Sequence, residues 1–161
     1  MIFYHSLLAV LMIATLILGW VMNRENGLMF FHKSVGVLVL VFGVLRIINR
    51  MRNMANIPPS VNHGVLHLVE KSVHGVLMLM MLILPIVGWL VSNAKGFPVS
   101  VFGLFDLPTL IGKNLDLADT LGSMHKAGAA VFVFLLIVHV VGAVYHKLKT
   151  KEDVISRILP W

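Results

Sequence analysis

Residues 123–149 read SMHKAGAAVFVFLLIVHVVGAVYHKLK, an apolar run opened by His125, interrupted by His139 and closed by His146. About 20 such residues suffice to cross a bilayer. His125 and His139 are 14 residues apart. At 100° per residue the second returns to within about 40° of the first, about 21 Å further along the axis. His146, seven residues on, keeps the same stripe. One face of one membrane helix therefore offers imidazoles at several depths. Ionisable groups inside a membrane span are costly, which makes them functional candidates by default.

The composition agrees. The 161 residues are 58% hydrophobic and only 12% charged, with a mean hydropathy of +0.92. Those values lie outside the range of soluble domains and inside that of multi-span membrane proteins. A net charge of +6 does not point to nucleic acid, because the basic residues sit at the ends of apolar runs, where topology explains them. There is no cysteine, which excludes Cys-ligated iron–sulfur clusters, thiolate zinc, covalently attached haem and disulfides. No internal repeat or low-complexity segment stands out.

Three further spans are expected. The first covers 2–22, with His5 at its start and Trp20 near its end. It lacks the basic n-region and cleavage site of a signal peptide and reads as a retained helix. The second covers 28–48, with His32 and Lys33 in its first turns and Arg46 on the His32 face. The third covers 67–92, with His67 and His74 toward its start and Pro85 inside it. The fourth is expected over 125–147. The connection 93–124, broken by Gly96, Pro98, Gly103, Pro108 and Gly112, reads as a lid on the membrane surface. The whole chain is expected to form one all-α, four-helix membrane domain.

Basic residues set the orientation. Eight of them lie in the 46–71 segment and the tail: Arg46, Arg50, Arg52, Lys71, Lys147, Lys149, Lys151 and Arg157. Five lie on the other side, together with four of the seven acids. The positive-inside rule makes both termini cytoplasmic and the 93–124 connection periplasmic or exterior.

Depth then sorts the histidines. His32 and His125 open their spans at the outer side, while His139, His5 and His74 share the inner half. Two imidazole pairs from facing helices, each at one depth, are what two six-coordinate b-type haems require. Lys33 and Lys126, beside the outer pair, give that face positive charge suited to attracting an anion.

The early Tyr4-His5, FFHKSVGVLVLVFGVLRI, HGVLMLMMLILPIVGW, FPVSVFGLFDLP, MHKAGAAVFVFLLIVHVVGAVYH and the closing ISRILP together resemble the bacterial cytochrome b561 family, including its superoxide oxidase branch, related to hydrogenase cytochrome b subunits. The resemblance covers nearly the whole chain and implies a four-helix bundle enclosing two haems b in the bacterial inner membrane. It implies that His32 and His125 hold the outer haem and His5 and His139 the inner one, with His74 a rival to His5. It implies a propionate-side or supporting role for Arg46 and His146. The expected activity passes electrons between a periplasmic donor, superoxide among the candidates, and membrane ubiquinone.

Two other readings are open at this point. One is an electron-conduit subunit of a dehydrogenase or hydrogenase-type respiratory complex. The other, from a different class, is a His-lined zinc or proton transporter, for which His63 and His67 form the single i, i+4 pair and no acid lies inside a span.

Overall fold

Four helices carry the chain: α1 (Ile2–Val21), α2 (Leu28–Arg52), α3 (Val65–Ala94) and α4 (Leu115–Thr150). The structure is a computed structural model that describes residues 2–23, 27–53 and 65–150, without the side chains at 2, 65–67, 146–147 and 149–150. His63, the side chains of His67 and His146, and the basic residues of the tail fall outside that description. Among the described residues four helices are long and apolar enough to cross a membrane. In hydrocarbon every backbone N–H and C=O needs an internal partner, and a helix supplies all of them within one segment. Large apolar side chains such as Ile17, Leu79, Ile83, Phe134 and Ile137 face outward, as a lipid solvent allows.

Each helix packs along the next in sequence, most extensively α3 along α4. The core cluster is Leu8, Met12, Val39, Met81, Leu84 and Phe132. Four of these stand at mirrored places. Met12 lies midway between His5 and Gly19, Val39 between His32 and Arg46, Met81 between His74 and Gly88, and Phe132 between His125 and His139, each seven residues from either neighbour. Seven residues are about 10.5 Å of helix. The bundle is thus three tiers, with an apolar floor of Met12, Val39, Met81 and Phe132 separating two polar ones.

This regularity exposes an internal repeat that inspection of the sequence missed. Aligning His5 with His74 makes Leu8, Met12, Ile17, Gly19 and Trp20 coincide with Leu77, Met81, Ile86, Gly88 and Trp89. Aligning His32-Lys33 with His125-Lys126 makes Arg46 coincide with His139. The hairpins α1–α2 and α3–α4 are two copies of one unit, the arrangement of parallel membrane repeats about an axis along the bilayer normal. A connection of very different length between the paired helices hides the match at sequence level.

The helix ends depart from expectation at several points. α2 runs on to Arg52 and α3 to Ala94, and α3 continues through Pro85. The largest change is at α4, which starts at Leu115, ten residues before His125. Asn114 explains it: its side-chain oxygen accepts the Leu117 N–H at 3.0 Å and Asp116 stands in the first turn, both of which favour a helix start. The breakers Gly96 to Gly112 all precede that cap.

The remaining connection is a folded element. Strands β1 (Ser100–Val101) and β2 (Phe105–Asp106) pair antiparallel around a turn in which Phe102 and Gly103 take φ of 50° and 72°. A non-glycine residue in that region is strained. The N–H of Phe102 is held at 2.9 Å by the hydroxyl of Ser34, a side chain with no exposure to solvent. The single hydroxyl proton of Ser34 is shared between the carbonyls of Phe30 and Ser100. At the far end Asn93 accepts the Leu110 N–H, and the Ala94 carbonyl accepts the Asn114 N–H. The segment is bonded down onto the ends of α2 and α3.

Candidate haem sites

The connection-side tier holds His32 on α2 and His125 on α4, whose ring centroids are 6.2 Å apart with the planes at 84°. An iron held by two imidazole nitrogens at the usual distance of about 2 Å separates ring centroids by about 6.3 Å. The fit is therefore close. His32 Nδ1 lies 3.0 Å from the Thr15 carbonyl on α1, a bond that makes Nδ1 the protonated nitrogen and leaves Nε2 as the electron-pair donor. Ring orientation by a carbonyl at the second nitrogen is how a ligating imidazole is normally fixed. The neighbouring Ser34 hydroxyl is spent on the connection instead.

His125 repeats the arrangement on the other hairpin. The Leu84 carbonyl lies alongside its ring, although its buried Nδ1 meets no partner at full hydrogen-bond geometry. The two glycines complete the match. A Cβ on Gly19 would come within 3.0 Å of the His32 ring, and one on Gly88 within 3.1 Å of the His125 ring. Thr15 precedes Gly19 by four residues, as Leu84 precedes Gly88. Each imidazole therefore lies across a turn whose glycine makes room for its edge, and at His32 the carbonyl of that turn holds the ring nitrogen. Sequence reading missed Gly19, Gly88, Thr15 and Leu84; the recurring His-x13-Gly-Trp was the signal that pointed to the glycines.

The tier nearer the termini is more crowded. His139 on α4 faces His5 on α1 at 6.4 Å and His74 on α3 at 5.7 Å, with interplanar angles of 41° and 53°. The His5 distance matches two imidazoles sharing an iron, and the His74 distance is shorter than that geometry requires. Arg46 on α2 is close enough to act electrostatically on all three rings. Its own charged neighbour is Arg50, so among the described residues no carboxylate offsets it. A half-buried guanidinium at membrane depth calls for an anion.

The lysines of the connection-side tier differ. Lys126 is exposed. Lys33 donates to the Ser92 hydroxyl at 2.7 Å and the Pro98 carbonyl at 3.4 Å, and its ammonium stands 5.9 Å from the Phe97 ring centre. Among the described residues no group of three or more His, Asp or Glu side chains converges as a metal-ion cage.

A family model described as prokaryotic cytochrome b561 matches residues 1–161. The chain is 32% identical over 128 residues to cytochrome b561 homolog 2 of Escherichia coli (strain K12), which covers 80% of this chain and 68% of the relative. It is 29% identical over 139 residues to the probable superoxide oxidase CybB of Yersinia pestis, covering 86% and 78%. Its four membrane helices, its facing imidazoles and this match agree, and the chain belongs to the prokaryotic cytochrome b561 family, a family of b-type membrane cytochromes.

Proposed function

We propose that the protein is a di-haem b oxidoreductase of the bacterial inner membrane that takes electrons from a periplasmic donor, superoxide by preference, and delivers them to ubiquinone. The observation that carries this reading is the pair of facing imidazole sets, 6.2 and 6.4 Å across, two tiers apart on the same helix. His32 and His125 hold one haem and His5 and His139 the other. Arg46 neutralises the propionates of the second, and His74 borders its edge beside the route to quinone.

Bound between these imidazoles, haem would supply reversible one-electron chemistry. The chain does the rest. Thr15 and Leu84 orient the connection-side imidazoles, the apolar floor keeps water from between the tiers, and Lys126 raises the local concentration of an anionic donor. In balance, two superoxide ions each lose one electron to become oxygen, and one quinone takes two electrons and two protons to become quinol. The excess of basic residues in the 46–71 segment and the tail supports an orientation with both termini in the cytoplasm and the connection in the periplasm.

Likeness to a probable superoxide oxidase favours this donor. A conduit subunit of a larger respiratory complex is the alternative, and one experiment separates them. Purified protein in quinone-containing vesicles, given pulses of superoxide, forms quinol and oxygen at a rate that falls with ionic strength. Haem reduction that needs a partner dehydrogenase, with no response to superoxide, would favour the conduit.

A further inference from the structure

Besides His125 Nδ1, two buried side-chain nitrogens among the described residues have no hydrogen-bond partner: Trp89 Nε1 and Asn93 Nδ2. Both are obligate donors. Asn93 is 2% exposed, and its amide cannot be turned round, because its oxygen already accepts the Leu110 N–H at 2.9 Å. The NH2 group is thereby fixed as the orphan. A buried donor without an acceptor costs about 1–3 kcal/mol, so two of them one helical turn apart, on the same face of α3, call for an explanation.

Their place supplies one. Trp89 follows Gly88, the glycine against the His125 ring. Along the axis the two residues stand about 1.5 and 7.5 Å beyond Gly88 toward the connection side. Between them Ser92 receives the ammonium of Lys33. The end of α3 thus collects an indole N–H, a carboxamide NH2 and a lysine, with no carboxylate among the described residues engaged to any of them. The repeat shows that the indole is not buried by default: Trp20, its counterpart after Gly19, is 91% exposed.

We infer that Trp89 and Asn93 form a carboxylate-binding site, and that its occupant is a propionate of the haem held between His32 and His125. The propionates are the polar edge of a haem, and the connection side is their shorter way to water from that tier. This rests on the connection-side haem proposed above. Hydrogen bonds from neutral donors offset the negative charge of the propionate, which otherwise favours the oxidised, more positive iron. Trp89 and Asn93 therefore raise the potential of that haem without touching its iron.

The test uses the haem-loaded protein in detergent and two variants. Trp89→Phe removes one N–H and keeps an aromatic ring; Asn93→Asp keeps the acceptor for Leu110 and replaces the donor by an acceptor. Potentiometric titration resolves the two haems, and resonance Raman reads the propionate bending mode. Each variant is expected to lower the midpoint of the connection-side haem and shift its propionate mode, leaving the other haem unchanged. Wild-type potentials and propionate modes in both variants would overturn the inference while leaving the di-haem reading intact. So would a midpoint that responds to these variants only when chloride or formate is added, since the occupant would then be a free anion. Wild-type protein with a single haem on the termini side would sink the underlying reading instead.

Discussion

The two polar tiers occupy matching places on two matching hairpins and differ in what they hold. At the connection side the repeat is intact: His32 and His125 correspond to each other, each lies over a glycine, and each faces a carbonyl four residues before that glycine. In the other tier the four corresponding positions hold His5, His74, Arg46 and His139, and the repeat is broken by an arginine where the second copy has a ligand candidate. Three imidazoles then compete for one pair, and a fixed positive charge stands beside them. A symmetric tier offers one imidazole from each copy and leaves nothing to spare. A broken one leaves a side chain and a charge over, which is what exchange with a second substrate needs.

The largest effect that sharpens this contrast is expected at His139, which faces both alternatives. His139→Ala is expected to cut haem per chain from about two to about one and to leave the connection-side spectrum untouched; pyridine haemochrome assay and redox titration read it. His5→Ala should resemble it, whereas His74→Ala should retain both haems and slow quinone reduction, because only the His5 distance suits a shared iron. Two haems in His5→Ala and one in His74→Ala would reverse the assignment and make His74 the ligand.

Next come the glycines. Leucine at Gly19 or Gly88 puts a side chain into the ring it now borders, at contacts already 3.0 and 3.1 Å for Cβ alone. Each variant is expected to convert the connection-side haem from low-spin to partly high-spin, as seen by EPR, with the other haem unchanged. Equal loss at both haems would mean that the glycines serve only bundle packing.

The smallest effects concern the paired lysines. Lys126→Gln should lower the rate of superoxide oxidation a few-fold at low salt and by less at high salt, since an exposed charge is screened. Lys33→Met should leave that salt dependence in place and instead loosen the connection, with faster amide exchange over 97–106. The loss of stability is about 1 kcal/mol, the worth of a charged hydrogen bond discounted for partial exposure.

Much of this was legible in the sequence because membrane helices announce themselves by length and apolarity, and because a spacing of 14 residues fixes both face and depth. The layering of His32 and His125 against His5, His74 and His139 followed from that arithmetic, and the preference for His5 over His74 came from the family resemblance. What escaped was of two kinds. The early start of α4 depended on Asn114 acting as a cap, a local bond that competes with the glycine and proline signals just before it. The role of Lys33 and Ser34 depended on a connection that folds back onto the helix ends, a long-range pairing of polar groups with no periodicity. The repeat itself was present in the letters, but its copies differ in loop length and keep only the positions that touch a ring or the floor between tiers. His63, His67 and His146 lie outside what the described side chains address.

The central claim is that each tier holds one haem between two imidazoles. The most direct measurement is haem per chain on the purified protein, combined with low-temperature EPR of the oxidised state. The account predicts about two haems b per chain, both low-spin, with two resolvable midpoint potentials. One haem per chain, or a high-spin signal from either tier in the unmodified protein, would contradict it.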